Sequence, residues 1–163
     1  MTIVVGWLDG KNAWIGGDSG AFGESTVTIT AETKVWKAEN SLIGLAGSFR
    51  QAEIAKESGI GDPYALRDHL LTTWENRNNV PEDWGAEFLI VTQNEIFYIT
   101  DDFAVVRSKE KYGAVGMGDG TALGALYAMQ GVTMQPKDRI STALKASAMH
   151  GNYARPPFKI ISL

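Results

Sequence analysis

The stretch Thr2-Ile3-Val4-Val5-Gly6-Trp7-Leu8 is dense in β-branched and aromatic residues, and Asp9-Gly10-Lys11-Asn12 supplies turn chemistry before Ala13-Trp14-Ile15-Gly16-Gly17. That pattern predicts an N-terminal β-hairpin. Val27-Thr28-Ile29-Thr30, Lys34-Val35-Trp36-Lys37 and Ser41-Leu42-Ile43-Gly44-Leu45-Ala46 predict further short strands of the same antiparallel sheet. After Gly47 the period lengthens: Ser48 is placed as an N-cap, Phe49, Ala52, Ile54 and Ala55 follow at helical spacing, and Gly59 is the stop. Asp62-Pro63 opens a second helix through Leu66, Leu70, Leu71 and Trp74, ending near Asn78.

Strand signals return in Phe88-Leu89-Ile90-Val91, Ile96-Phe97-Tyr98-Ile99 and Phe103-Ala104-Val105-Val106, read as a second antiparallel run. A glycine-rich turn from Gly113 to Gly120 leads into a helix carrying Ala122, Leu123, Ala125, Leu126 and Met129. Another helix starts after Pro136 with Ile140, Ala143, Leu144 and Ser147, and Pro157 to Leu163 predicts a last strand. Two strand groups, each followed by a helix pair, suggest stacked sheets with helices outside, because every sheet face must be covered. The expected class is α+β, a four-layer αββα sandwich.

Composition narrows the chemistry. A chain of 163 residues, 44% apolar and 21% charged, is expected to form one domain over 1–163. A net charge of −4 leaves no basic footprint for nucleic acid, and no apolar run is long enough for a membrane span. The N-terminus lacks the basic and apolar regions of a secretory signal, so a cytoplasmic location is expected. The absence of cysteine removes thiol catalysis and zinc thiolates, which leaves oxygen or nitrogen nucleophiles. His69 and His150 show no metal-ligand spacing, so neither a metal nor a cofactor is expected.

Gly17-Asp18-Ser19-Gly20 looks like a serine-protease nucleophile loop, but both histidines lie downstream of it, which that catalytic order does not permit. Gly116-Met117-Gly118-Asp119-Gly120 lacks the glycine spacing and the Gly-Lys-Ser/Thr of phosphate-binding loops.

The combination of Met1-Thr2-Ile3-Val4, Gly16-Gly17-Asp18, Lys34 and Ile43-Gly44-Leu45-Ala46-Gly47 resembles the proteasome β-subunits and the bacterial peptidase HslV. Short proteasome-like reading frames of bacteria and phages are closer still. These are N-terminal-nucleophile (Ntn) hydrolases, in which removal of Met1 would free Thr2 as both nucleophile and amine base. By that resemblance Lys34 would assist the Thr2 hydroxyl, Asp18 would orient Lys34, and Gly44 would donate its N–H to the oxyanion. Ala21, Glu32, Trp36, Leu42 and Ala46 would line the pocket for the residue before the scissile bond, Glu32 favouring a basic side chain there.

Two positions depart from the family. Met117 stands where a serine usually serves the amine, and Met149 or His150 falls where a distal aspartate is expected. The resemblance implies a threonine endopeptidase acting on polypeptides inside a homo-oligomeric ring, with an ATP-dependent unfoldase as possible partner. The alternatives are a catalytically inactive assembly subunit that keeps Met1, or a hydrolase of small amides.

Overall fold

The computed structural model describes residues 2–23, 26–76, 85–151 and 154–163. The predicted hairpin forms as β1 (Val4–Leu8) and β2 (Ala13–Gly17), and Asp9 accepts the Lys11 and Asn12 amides to close the turn. β3 (Gly20–Phe22) and β4 (Val27–Ile29) make a separate two-stranded ribbon. β5 (Val35–Ala38) and β6 (Ser41–Ala46) then lead into α1 (Phe49–Ser58) and α2 (Pro63–Glu75). Ser48 and Gln51 form a reciprocal capping box on α1, Gly59 ends that helix at φ 67°, and Asp62 caps α2 ahead of Pro63. α2 reaches Glu75 with Asn76 at its C-cap, while the expected end near Asn78 lies outside the described residues.

The second half runs β7 (Glu87–Thr92), β8 (Ile96–Ile99), β9 (Val105–Arg107), β10 (Tyr112–Val115), α3 (Asp119–Ala128), α4 (Pro136–His150) and β11 (Lys159–Ser162). Sheet membership differs from the sequence expectation. The strands do not divide into an early and a late sheet: one sheet has the order β10-β1-β2-β11 and the other β5-β6-β7-β8-β9. Gly113 to Val115, read as the start of a glycine turn, belong to β10, paired antiparallel with β1. Hydrophobic period reports which residues alternate but not which neighbour a strand pairs with, and that neighbour is fixed only by tertiary packing.

Three buried clusters separate four layers. Ile43, Leu45, Phe88 and Ile90 pack on Ala52, Ala55, Leu66 and Leu70 beneath α1 and α2. Ile3, Val5 and Ala114 pack on Ala122, Leu126, Ile140 and Leu144 beneath α3 and α4. Val4, Ile15, Val35, Leu42, Leu89 and Val115 fill the space between the sheets. Side chains alternate along β1 and β6 between these clusters, as the pleat requires. The architecture is αββα.

Candidate active site

Thr2 stands at the entry to β1, where both faces of the strand are already covered, and it is buried. Ile3 N–H donates to Asp18 Oδ1 and Asp18 N–H to the Ile3 carbonyl, so the hairpin pairing continues past β2 and fixes Asp18 beside Thr2. Lys34 lies one residue before β5 in the facing sheet, and its carbonyl accepts the Leu45 N–H. From there its side chain crosses the sandwich. Nζ donates to Thr2 Oγ1 at 2.8 Å and to Asp18 Oδ1 at 2.8 Å.

Asp18 is enclosed, and four donors converge on it: Ile3 N–H and Lys34 Nζ on Oδ1, Gly20 N–H and Arg155 N–H on Oδ2. Such saturation is what a buried carboxylate requires. Burial pushes the Lys34 ammonium below the ordinary lysine range, and the Asp18 charge and hydrogen bond offset that only in part. Lys34 is thereby a stronger proton donor toward Thr2 Oγ1 than a solvated lysine.

The turn after β10 closes the site from above. Gly116 has φ 102°, and a Cβ built there would lie 2.2 Å from the Thr2 carbonyl oxygen, so no other residue fits. Asp119 N–H donates to the Gly116 carbonyl, and Ser147, buried on α4, donates Oγ to the Gly118 carbonyl at 2.9 Å. Met117, by contrast, is 61% exposed, and Met149 and His150 are exposed at the end of α4. The α4 residue that reaches this turn is therefore Ser147, and neither Met149 nor His150 takes the place of a distal acid. The sequence signal was a lone serine on the apolar face of a helix.

Beside Thr2 and Lys34 opens a cavity of about 470 Å³, walled by Ala21, Leu45, Gly47, Phe49 and Ala52 with Thr28 and Ser48. Of the five residues expected in the pocket, Ala21 alone lines it. Leu42 and Ala46 share the β6 face that points between the sheets. Trp36 packs toward α1 and α2, with Lys56 Nζ 5.3 Å from its ring. Glu32 faces a separate cavity with Ser19, Thr30 and Lys159. The pleat accounts for the difference: Leu45, one step from Gly44, emerges on the helix side, where Phe49 and Ala52 complete the wall.

Gly44 is also displaced from its expected role. It sits mid-strand opposite Val35 and Leu89, and a Cβ there would lie 2.4 Å from Val4 Cγ1. Because Leu45 N–H is turned toward β5, ladder alternation turns the Gly44 N–H toward β7 and away from Thr2. Gly47 lines the cavity instead, and its N–H has no hydrogen bond among the described residues.

Three solved structures share this fold across the whole chain. A Thiobacillus denitrificans protein, BPH, in complex with epoxomicin superposes with a TM-score of 0.84 at 17% identity, covering 100% of this chain and 98% of its own. The same protein without that compound gives 0.83 at 16% identity, covering 100% and 97%. Eukaryotic HslV from Trypanosoma brucei gives 0.79 at 18%, covering 99% of each. The fold is that of the HslV/proteasome-like Ntn hydrolases. At these identities the likeness is one of fold.

No family model matches the sequence. Inositol-3-phosphate synthase of Mycobacterium tuberculosis and an uncharacterized protein of Mycobacterium bovis are each 37% identical over 60 residues. That segment is 36% of this chain and spans 16% of the relatives' length. Among the described residues no helix is long and apolar enough to cross a membrane.

Proposed function

We propose that this chain is a threonine peptidase of the HslV/proteasome type, with Thr2 as the nucleophile once Met1 has been removed. The observation that carries the reading is Lys34 Nζ held between Thr2 Oγ1 and Asp18 Oδ1 at 2.8 Å each, with all three side chains buried at the edge of an open cavity. A hydroxyl is a poor nucleophile until its proton is taken, and a free Thr2 α-amine would accept it near neutral pH. Lys34 donates to the same oxygen and favours the alkoxide, while Asp18 keeps Lys34 in place. Attack on an amide carbonyl develops a negative oxygen, for which the uncommitted Gly47 N–H is the assigned donor. Collapse of that intermediate breaks the C–N bond, the amine leaving with the proton held by the Thr2 α-amine, and water then hydrolyses the ester on Thr2 Oγ1 to free the acid and restore the hydroxyl.

The cavity defines the preferred side chain. Ala21, Leu45, Phe49 and Ala52 present no charge, and Lys34 is committed to Asp18, so the site favours an uncharged apolar residue before the scissile bond. A basic preference through Glu32 is not supported by its position in a different cavity. Polypeptide access would be restricted by assembly into a homo-oligomer. The outer face of α3 supports this: Gly120, Thr121, Gly124, Tyr127 and Ala128 are exposed, and no charged residue occurs from Gly120 to Pro136.

The test is intact mass and N-terminal sequencing of the purified protein, followed by incubation with epoxomicin, the compound bound by the Thiobacillus protein. Loss of Met1 with one adduct mapped to Thr2 is the expected result. A retained Met1 with no adduct would favour the non-catalytic assembly subunit, which the exposed Met117 in place of a hydroxyl also fits.

A further inference from the structure

At the end of β1 opposite Thr2, a groove of about 720 Å³ opens between the β1–β2 turn, the segment before β10 and the α3–α4 connection. Arg139 forms part of its wall. This arginine is 5% exposed, yet it has no carboxylate partner among the described residues. Nη1 donates to the Met129 carbonyl and Nη2 to the Val132 carbonyl, the guanidinium lies 4.3 Å from the Trp7 ring centre, and Nε–H has no acceptor. Two of the five guanidinium N–H groups are thus bound and three are unspent. The carbonyls fasten the loop after α3 but leave the buried positive charge without a counterion.

Other groups reinforce the same sign. Gln135 and Pro136, the cap and first residue of α4, lie in the groove wall, and no side chain caps that helix, while Asp138 in its first turn offsets part of the N-terminal partial charge. Lys11, Lys109 and Lys111 stand exposed around the groove. Of the two carboxylates present, Asp9 is engaged with the Lys11 and Asn12 amides of its own turn, which leaves Glu110. Cations outnumber acids here by four to two, on a chain whose net charge is −4. Lys11, the pair Lys109 and Lys111, and Arg139 come from three separate stretches of the chain, which only the fold brings together.

We propose that this groove binds a small molecule bearing phosphate groups, with Arg139 and the α4 N-terminus on the phosphate and Lys109 and Lys111 completing its neutralisation. A phosphate brings about −1.5 to −2 charge and three acceptor oxygens, which matches several cations and free N–H donors better than one carboxylate does. The groove is several times larger than a phosphate, so the phosphate is one end of a larger ligand. The site is separate from Thr2 and needs no turnover to be tested.

Calorimetric titration of the full chain with tripolyphosphate at low salt is the experiment, with citrate as an anion of comparable charge that lacks phosphorus. Saturable binding is expected for tripolyphosphate, weakening about tenfold in a Lys109→Gln/Lys111→Gln double variant, and disappearing in Arg139→Gln. No saturable heat, undiminished affinity in the lysine variant, or citrate binding as tightly as tripolyphosphate would each overturn the proposal. The lysines are exposed, so their variant keeps the fold and decides the matter if Arg139→Gln does not fold.

Discussion

Asp18 receives four donors through two oxygens, and an asparagine in its place could accept with one oxygen while turning its NH₂ toward donors on the other side. Asp18→Asn should therefore cost about 3–5 kcal/mol, the range for breaking a buried ion pair, and abolish peptide turnover; urea unfolding and a fluorogenic peptide assay measure the two effects. Thr2→Ala separates chemistry from structure. It removes the proposed nucleophile and one γ-methyl and leaves Lys34 its bond to Asp18, so hydrolysis should fall to background while the melting midpoint falls by only a few degrees. An active Thr2→Ala protein would refute the mechanism. Lys34 adds a pH signature. Its folded-state pKa lies below the ordinary 10.5 because of burial, so the alkaline limb of the rate profile should fall at lower pH than an ordinary lysine titrates. Between the folded value and 10.5 the unfolded chain binds the extra proton, so this group's contribution to stability rises with pH across that window. Melting wild type against Lys34→Met over the alkaline range should show the difference moving in favour of wild type.

The elements around the site were legible to different depths. Helix caps at Ser48 and Asp62 and the stop at Gly59 are local chemistry, written within three or four residues, and the structure has all three. Pocket walls are not local: Leu42 and Leu45 are both apolar and lie on one strand, and only the pairing of β6 decides which faces the sheets and which the cavity. The spacing places Ser147 on the apolar face of α4, but nothing in that periodicity says that its hydroxyl reaches a turn about thirty residues earlier. Two substitutions probe these elements. Gly44→Ala drives a methyl to 2.4 Å from Val4 Cγ1 and should destabilise by about 1–3 kcal/mol through overpacking. Ser147→Ala removes one of the two donors to the Gly118 carbonyl, which keeps the Ala122 N–H, and should cost about 0.5–1.5 kcal/mol, with kcat falling more than KM changes because the turn rests on Thr2. Unchanged kcat in Ser147→Ala would reduce that serine to a packing role.

At the scale of the molecule, the layer count followed from strand groups and helix pairs, but the sheet order did not. β10 and β11 are both short, and each finds its partner across more than a hundred residues, which no pattern of alternation encodes. The outermost layer raises the remaining question of what α3 faces. Glycine inside a helix costs about 1 kcal/mol relative to alanine, yet Gly120 and Gly124 stand where an added Cβ would meet nothing. Packing within the chain therefore gives no reason for them. Tyr127, 69% exposed one turn further on, adds apolar area to a face with no charge to keep it solvated. Close approach of a helix from a second copy accounts for small residues, missing charge and exposed tyrosine together. Gly124→Asp/Tyr127→Asp should then shift sedimentation velocity from an assembled species to the 17.7 kDa chain, with circular dichroism unchanged because both side chains point away from the core. A wild-type chain that sediments as a monomer at micromolar concentration would overturn the proposed assembly, and with it the proposed restriction of polypeptide access.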